Sequence, residues 1–192
     1  MLGKLGRPEG FCLKVVQYAL RACGVMILLS NILFMTLSQK ISLAVVRIVM
    51  GLMFFYAGIT KVVNPEWTAA GYMKGAKNFV GMYEWFSSPG ILPIVDFLNA
   101  WGLTLLGVAL ILGIAVRLGA FFGVIMMLMY YFVILDFPYP NAHAFIVDEH
   151  IIYSAVLVFL GLVGAGRYFG LGYWFSSLPI FSNRRSVRKI LG

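Results

Sequence analysis

Long apolar blocks separated by short polar interruptions run along this chain, and the blocks define its elements. The first extends from Ile41 to Val63 and stops at Asn64-Pro65, because proline has no N–H with which to continue a helix. The second starts near Pro93, a residue favoured in a first helical turn, and runs to about Val116. The third is the uncharged run from Leu118 to Leu135, closed by Asp136 and the breakers Pro138 and Pro140. The fourth begins at His150 and runs to about Leu171, carrying Arg167 near its end. Each is long enough for a hydrocarbon core of about 30 Å. The pattern predicts an all-α integral membrane protein built as a four-helix bundle.

Two amphipathic stretches accompany the spans. From Gly71 to Phe86, Lys74, Lys77 and Glu84 share one face, and Ala76, Phe79, Val80, Tyr83 and Phe86 share the other. This predicts a short interfacial helix in the first loop, anchored by Trp67 and Trp85, with Ser87-Ser88-Pro89-Gly90 as the turn into the second span. Near the N-terminus, Val15 to Leu37 is apolar enough to cross a membrane, yet Lys14, Gln17 and Arg21 fall on one helical face. An interfacial amphipathic helix, a fifth span and a translation start at Met35 all remain open for it. No small-residue cleavage site follows cleanly, so no secretory signal is expected. The predicted organisation is an extension over 1–40, a four-span domain over 41–171 and a basic tail over 172–192.

Composition sharpens this reading. Of the 192 residues 61% are hydrophobic and 11% charged, with mean hydropathy +0.92, which excludes both an ordinary soluble domain and a disordered chain. The net charge of +8 could suggest nucleic acid, but the cations are scattered between apolar blocks. Topology explains them better, and no nucleic-acid partner is expected. Placing both termini in the cytoplasm puts most Lys and Arg on the inner side, leaving Lys61, Lys74 and Lys77 outside. Cys12 and Cys23 do not form a Cys-x-x-Cys pair. His143 and His150 are the only histidines, too few for an all-protein zinc site. Both lie at one loop–helix junction, whereas bis-histidine haem needs a ligand on each side. No intrinsic metal or haem is expected.

Two constellations could carry chemistry. Arg47, Gly51, Phe54, Gly58 and Lys61 recur at helical spacing as one stripe of the first span. Cations and glycines on one stripe imply a face turned towards protein, since charge facing lipid is costly and glycine admits a neighbouring backbone. Arg47 and Lys61 then frame a site for a polar or anionic headgroup, unless both snorkel to an interface. The second constellation joins the ends of the third and fourth spans: Tyr130, Tyr131 and Asp136, then Asp148, Glu149, His150 and Tyr153. A histidine beside carboxylates at a membrane boundary suits proton transfer, and Asp148 and Glu149 equally suit the first turn of a helix. Gly161, Gly164, Ala165 and Gly166 make a packing face in the fourth span.

Taken together, these landmarks resemble the DoxX/DoxD family of small four-helix membrane proteins. The resemblance rests on the run from Arg47 to Lys61 with Asn64-Pro65-Glu66-Trp67, and on Gly107 to Gly113 leading into Arg117. Val147-Asp148-Glu149-His150 and Gly164-Ala165-Gly166-Arg167 complete it, so that it covers roughly Ile41 to Leu171. Many members carry an acid near the start of the second span, where Asp96 is the nearest here. DoxD-like members form the membrane part of a thiosulfate:quinone oxidoreductase together with a second small subunit. The resemblance therefore implies a multi-pass subunit of a redox complex in a prokaryotic plasma membrane, passing electrons from a thiosulfate-like reductant to the quinone pool. Quinone would be its bound substrate, with Arg47, Lys61, Tyr56, Tyr130 and Tyr153 holding it and His150, Asp148 and Glu149 handling protons. Gly51, Gly58, Gly107, Gly113, Gly161 and Gly164 would serve packing. The rival expectation is a non-catalytic scaffold that docks a larger respiratory or membrane redox complex. Transport fits poorly with spans that show neither a broken central helix nor an internal repeat.

Overall fold

A computed structural model of the chain describes residues 35–141 and 143–172. The expectations for residues 1–34 and for the tail from Tyr173 lie outside the described residues. By its contacts the chain divides into two units, 1–40 and 41–192. Of the first, the described part is the capped start of a helix. Gln39 Oε1 accepts from the Thr36 N–H at 2.8 Å and Thr36 Oγ1 accepts from the Gln39 N–H at 3.3 Å, a reciprocal capping box.

Among the described residues six α-helices follow in order: α1 (Leu37–Val62), α2 (Ala70–Met73), α3 (Val80–Phe86), α4 (Leu92–Leu112), α5 (Val116–Ile134) and α6 (Glu149–Val163). A 3-10 turn, Ala165–Arg167, succeeds α6. Helices α1, α4 and α5 are long and apolar enough to cross a membrane. The four large helices run alternately up and down, so that the ends of α1 and α5 meet the starts of α4 and α6.

The fourth span is shorter than its hydropathy suggests. Helix α6 has 15 residues, about 22 Å at 1.5 Å per residue, against the ~30 Å of a hydrocarbon core. The cause is Gly164, whose φ of +66° ends the helix in the left-handed conformation, so that the apolar residues up to Leu171 continue as a turn. The first loop also departs from expectation, with two short helices replacing a single one. Phe79 (φ +52°) breaks the register, and Phe79 and Val80 point outward instead of sharing the buried face of Tyr83. Ala69, Met73, Tyr83 and Val133 form a small core that seats this loop on α5.

Glycines set the distances between the large helices. A Cβ on Gly58 would meet the Thr104 backbone, and one on Gly107 would meet the backbone of Phe55, so α1 and α4 cross with their main chains in direct contact. A Cβ on Gly51 would lie 2.9 Å from Ile111 N. Between α5 and α6, Gly161 faces Ala120 at 3.1 Å and Gly123 faces Leu157 at 2.9 Å. The outward faces carry Val49, Leu52, Phe97, Leu105, Phe121, Phe159 and Leu162, all exposed, as a lipid-facing surface requires.

Candidate functional site

The cationic stripe of α1 delivers its two charges to opposite ends of the bundle. Arg47 and Lys61 are separated by about 21 Å of helix rise. Arg47 is completely buried. Its Nη1 donates to Ala165 O at 3.0 Å and its Nη2 to Phe169 O at 3.2 Å. The guanidinium is enclosed by Gly113 and Gly170, where any Cβ would collide with it. No carboxylate pairs with it among the described residues. The negative ends of α4 and α6 converge there and supply the compensating field. Arg47 thus clamps the turn after α6, and Leu171 N–H, donating to Leu112 O at 2.9 Å, ties the same turn to the end of α4.

Lys61 has a different environment. Its Nζ donates to Asn99 Oδ1 at 2.8 Å and to Tyr130 OH at 2.7 Å, and the Tyr130 hydroxyl donates to Asn99 Oδ1 at 2.7 Å. The three side chains come from α1, α4 and α5 and close a hydrogen-bonded triangle. The Trp67 ring lies 4.8 Å from the ammonium, within cation–π range. Among the described residues no carboxylate forms an ion pair with Lys61, so its charge is uncompensated by protein anions.

The triangle lies in the wall of a cavity of about 860 Å³. From the triangle the cavity runs between α4 and α5 past Gly102, Leu106, Gly119 and Gly123. Its rim includes Leu98, Leu105, Phe122 and Ile125, all exposed on the lipid-facing surface, so the groove opens sideways to the bilayer. The polar lining is concentrated at the Lys61 end; towards Ala115 the lining is apolar.

The first loop roofs that polar end. Asp96 Oδ1 accepts from the Ala69 N–H at 2.8 Å, Tyr83 OH donates to Met129 O at 2.7 Å and Tyr72 OH donates to Tyr130 O at 3.1 Å. Asn78 Nδ2 donates to Leu135 O, and Lys77 pairs with Asp136. Desolvation, with smaller contributions from Tyr130 and the Asp148 carboxylate, raises the Tyr72 phenol above its ordinary value. It therefore remains a donor throughout the neutral range.

His150 lies against Tyr130, ring centroids 5.7 Å apart and ring planes inclined by 30°, and is not part of the groove lining. Asp148, buried, fixes it: Oδ2 lies 2.6 Å from His150 Nδ1, and Oδ1 accepts from the His150 and Ile151 N–H groups at 3.1 and 3.2 Å. A carboxylate accepting from Nδ1–H leaves Nε2 as the acceptor of the ring. One carboxylate therefore both caps α6 and orients the histidine. Asp148→Ala is expected to cost about 0.5–2 kcal/mol through the lost cap, measurable as a lowered unfolding temperature in detergent.

Of the other residues singled out by sequence, Glu149 is exposed beside His150, and Tyr153 packs edge-on against Phe54, centroids 6.1 Å apart. Tyr56 is 71% exposed on the lipid face. It follows Arg47 by nine residues, half a helical rotation off the stripe. The structure unites Lys61 with Tyr130 and His150, and it leaves Arg47, Tyr56 and Tyr153 elsewhere. Asn99 and Tyr72 belong to the site without having been singled out, and Trp67, expected as an interfacial anchor, joins them. A lone asparagine inside the apolar run of α4 is the signal that could have found Asn99.

No curated protein and no solved structure matches the chain. The family comparison is positive: the DoxX family model matches residues 42–136, a segment that contains Lys61, Asn99, Tyr130 and the whole groove lining. With three helices among the described residues able to cross a bilayer, and this match, the chain is a membrane protein and belongs to the DoxX family.

Proposed function

We propose that the chain is the membrane subunit of a quinone-linked oxidoreductase complex, holding a quinone in the groove between α4 and α5. The observation that carries this reading is the asymmetry of the groove. An apolar trough open to lipid ends in a triangle of hydrogen-bonding groups, the shape required by a molecule with a polar head and a hydrocarbon tail. Lys61 and Asn99 offer donors to a quinone oxygen, and the ammonium stabilises the negative charge that builds there on reduction. The aromatic rings of Trp67 and Tyr130 flank the head.

The reaction balances as two electrons and two protons added to quinone, giving quinol. The electrons come from a small sulfur reductant at a partner subunit, as when two thiosulfates couple through a new S–S bond. His150, oriented by Asp148 and lying against Tyr130, is the proton carrier, with exposed Glu149 beside it on the aqueous side. We place the Lys61 end at the outer face of a prokaryotic plasma membrane, because both termini then lie with most of the basic residues in the cytoplasm.

Binding is read directly through Trp67. Titrating the full chain in nanodiscs with a short-tailed quinone should quench tryptophan fluorescence saturably, and Trp67→Phe should remove the saturable part. Lys61→Met should weaken binding at least about tenfold, the loss of one charge-assisted hydrogen bond. Unchanged affinity in Lys61→Met would end the assignment. Strong association with large partner subunits and no quinone response would leave the scaffold reading in its place.

A further inference from the structure

The donor inventory of the triangle goes one step beyond a generic quinone site. Asn99 Oδ1 accepts from Lys61 at 2.8 Å and from Tyr130 at 2.7 Å, so both of its lone-pair positions are used. That double acceptance fixes the carboxamide: its oxygen faces the triangle and its NH₂ group faces away from it. The NH₂ has no partner among the described residues, and Asn99 lines the groove. Lys61 has three N–H groups and gives two to the triangle, leaving one. The oxygen and nitrogen of Asn99 share one carbon, so the free donors of Lys61 and Asn99 are neighbours. The Tyr130 hydroxyl has given its proton to Asn99. The head of the groove therefore presents two adjacent donors, and the acceptor capacity left in the triangle is one lone pair of the Tyr130 oxygen, weakened by conjugation with the ring.

We infer that Asn99 is the specificity-determining residue of the groove, selecting a head with two neighbouring oxygen acceptors. A benzoquinone with an alkoxy group beside its carbonyl has that pair. A naphthoquinone has only ring carbon beside each carbonyl and leaves the Asn99 NH₂ unmatched. An unmatched donor in an enclosed apolar site loses its water without replacement, which is how such sites discriminate. This inference rests on the quinone reading above. Tyr130 acts as a positioning residue, since its proton holds the Asn99 carboxamide in the selecting orientation.

The test compares a decyl-substituted dimethoxybenzoquinone with a naphthoquinone of equal tail length, both titrated into the full chain in phosphatidylcholine nanodiscs and read through Trp67. The parent chain should bind the dimethoxybenzoquinone at least about tenfold more tightly, the equivalent of 1.4 kcal/mol. Asn99→Leu should bring the ratio of the two affinities close to one while naphthoquinone still binds. Tyr130→Phe, which frees the carboxamide to rotate, should narrow the ratio without abolishing binding. Equal affinities in the parent chain, or a ratio unchanged by Asn99→Leu, would overturn the inference and leave quinone binding standing. Failure of both quinones to bind, with phosphatidylglycerol retained instead, would overturn the quinone reading along with it.

Discussion

Arg47→Met is expected to leave the chain unable to hold its native bundle, with a loss of at least about 3 kcal/mol. Hydrogen bonds from charged donors contribute about 1.5–3 kcal/mol each, and the substitution removes two. It also takes the charged donor from the Ala165 carbonyl, which keeps the Tyr168 N–H at 3.3 Å, and from the Phe169 carbonyl. The ends of α4 and α6 then face each other with like partial charges and without the cation that joins them, while Arg117 still donates from Nε to Gly161 O at 3.3 Å. Arg47→Lys should recover part of the loss, since an ammonium restores charge but cannot span both carbonyls in one planar fork. Thermal unfolding in detergent, followed by loss of the monodisperse peak, measures this. An Arg47→Met chain that melts with the parent would show the clamp to be dispensable.

The second large effect concerns the crossing of α1 and α4. Gly58→Leu and Gly107→Leu should each prevent the helices from packing, beyond the about 1–3 kcal/mol typical of an overfilled core. What obstructs the new side chain is the main chain of Thr104 or Phe55, which cannot rotate away as a side chain would. Even alanine should destabilise at these two positions. Gly71→Ala and Gly81→Ala serve as controls, because nothing lies within 4 Å of a Cβ there, and both should melt like the parent chain. Equal stability in Gly107→Leu would mean that α1 and α4 are not in backbone contact.

How far the sequence disclosed this arrangement depends on what kind of information each feature needs. The three long spans follow from local hydropathy, and the ends of the first and third from Pro65 and the breakers after Leu135; the second stops at Leu112 rather than at about Val116, because Gly113 turns left-handed there (φ +70°). The Arg47–Lys61 stripe was visible because helical periodicity is local, and so was the packing use of its glycines. The two cations, expected from the sequence to frame one site, serve opposite ends because fourteen residues of helix rise separate them. Tyr56, expected among the quinone-holding residues, lies half a rotation off that stripe. The end of α6 was hidden because an apolar glycine-rich run reads equally as span or as turn. Asn99 was hidden for another reason: its role depends on α1 and α5 arriving beside α4, and no spacing along one chain segment encodes that meeting. The first loop broke its amphipathic pattern at Phe79 because its anchors, Asp96 and Met129, come from distant helices.

The sideways opening between Leu105 and Phe122 alters what a binding constant means for this protein. A molecule that reaches the triangle through hydrocarbon is dissolved in the membrane before it binds, so occupancy follows its mole fraction among the lipids. Adding plain phospholipid at fixed protein and fixed total quinone should empty the groove, although neither aqueous concentration nor protein has changed. Dilution with buffer alone should leave it full.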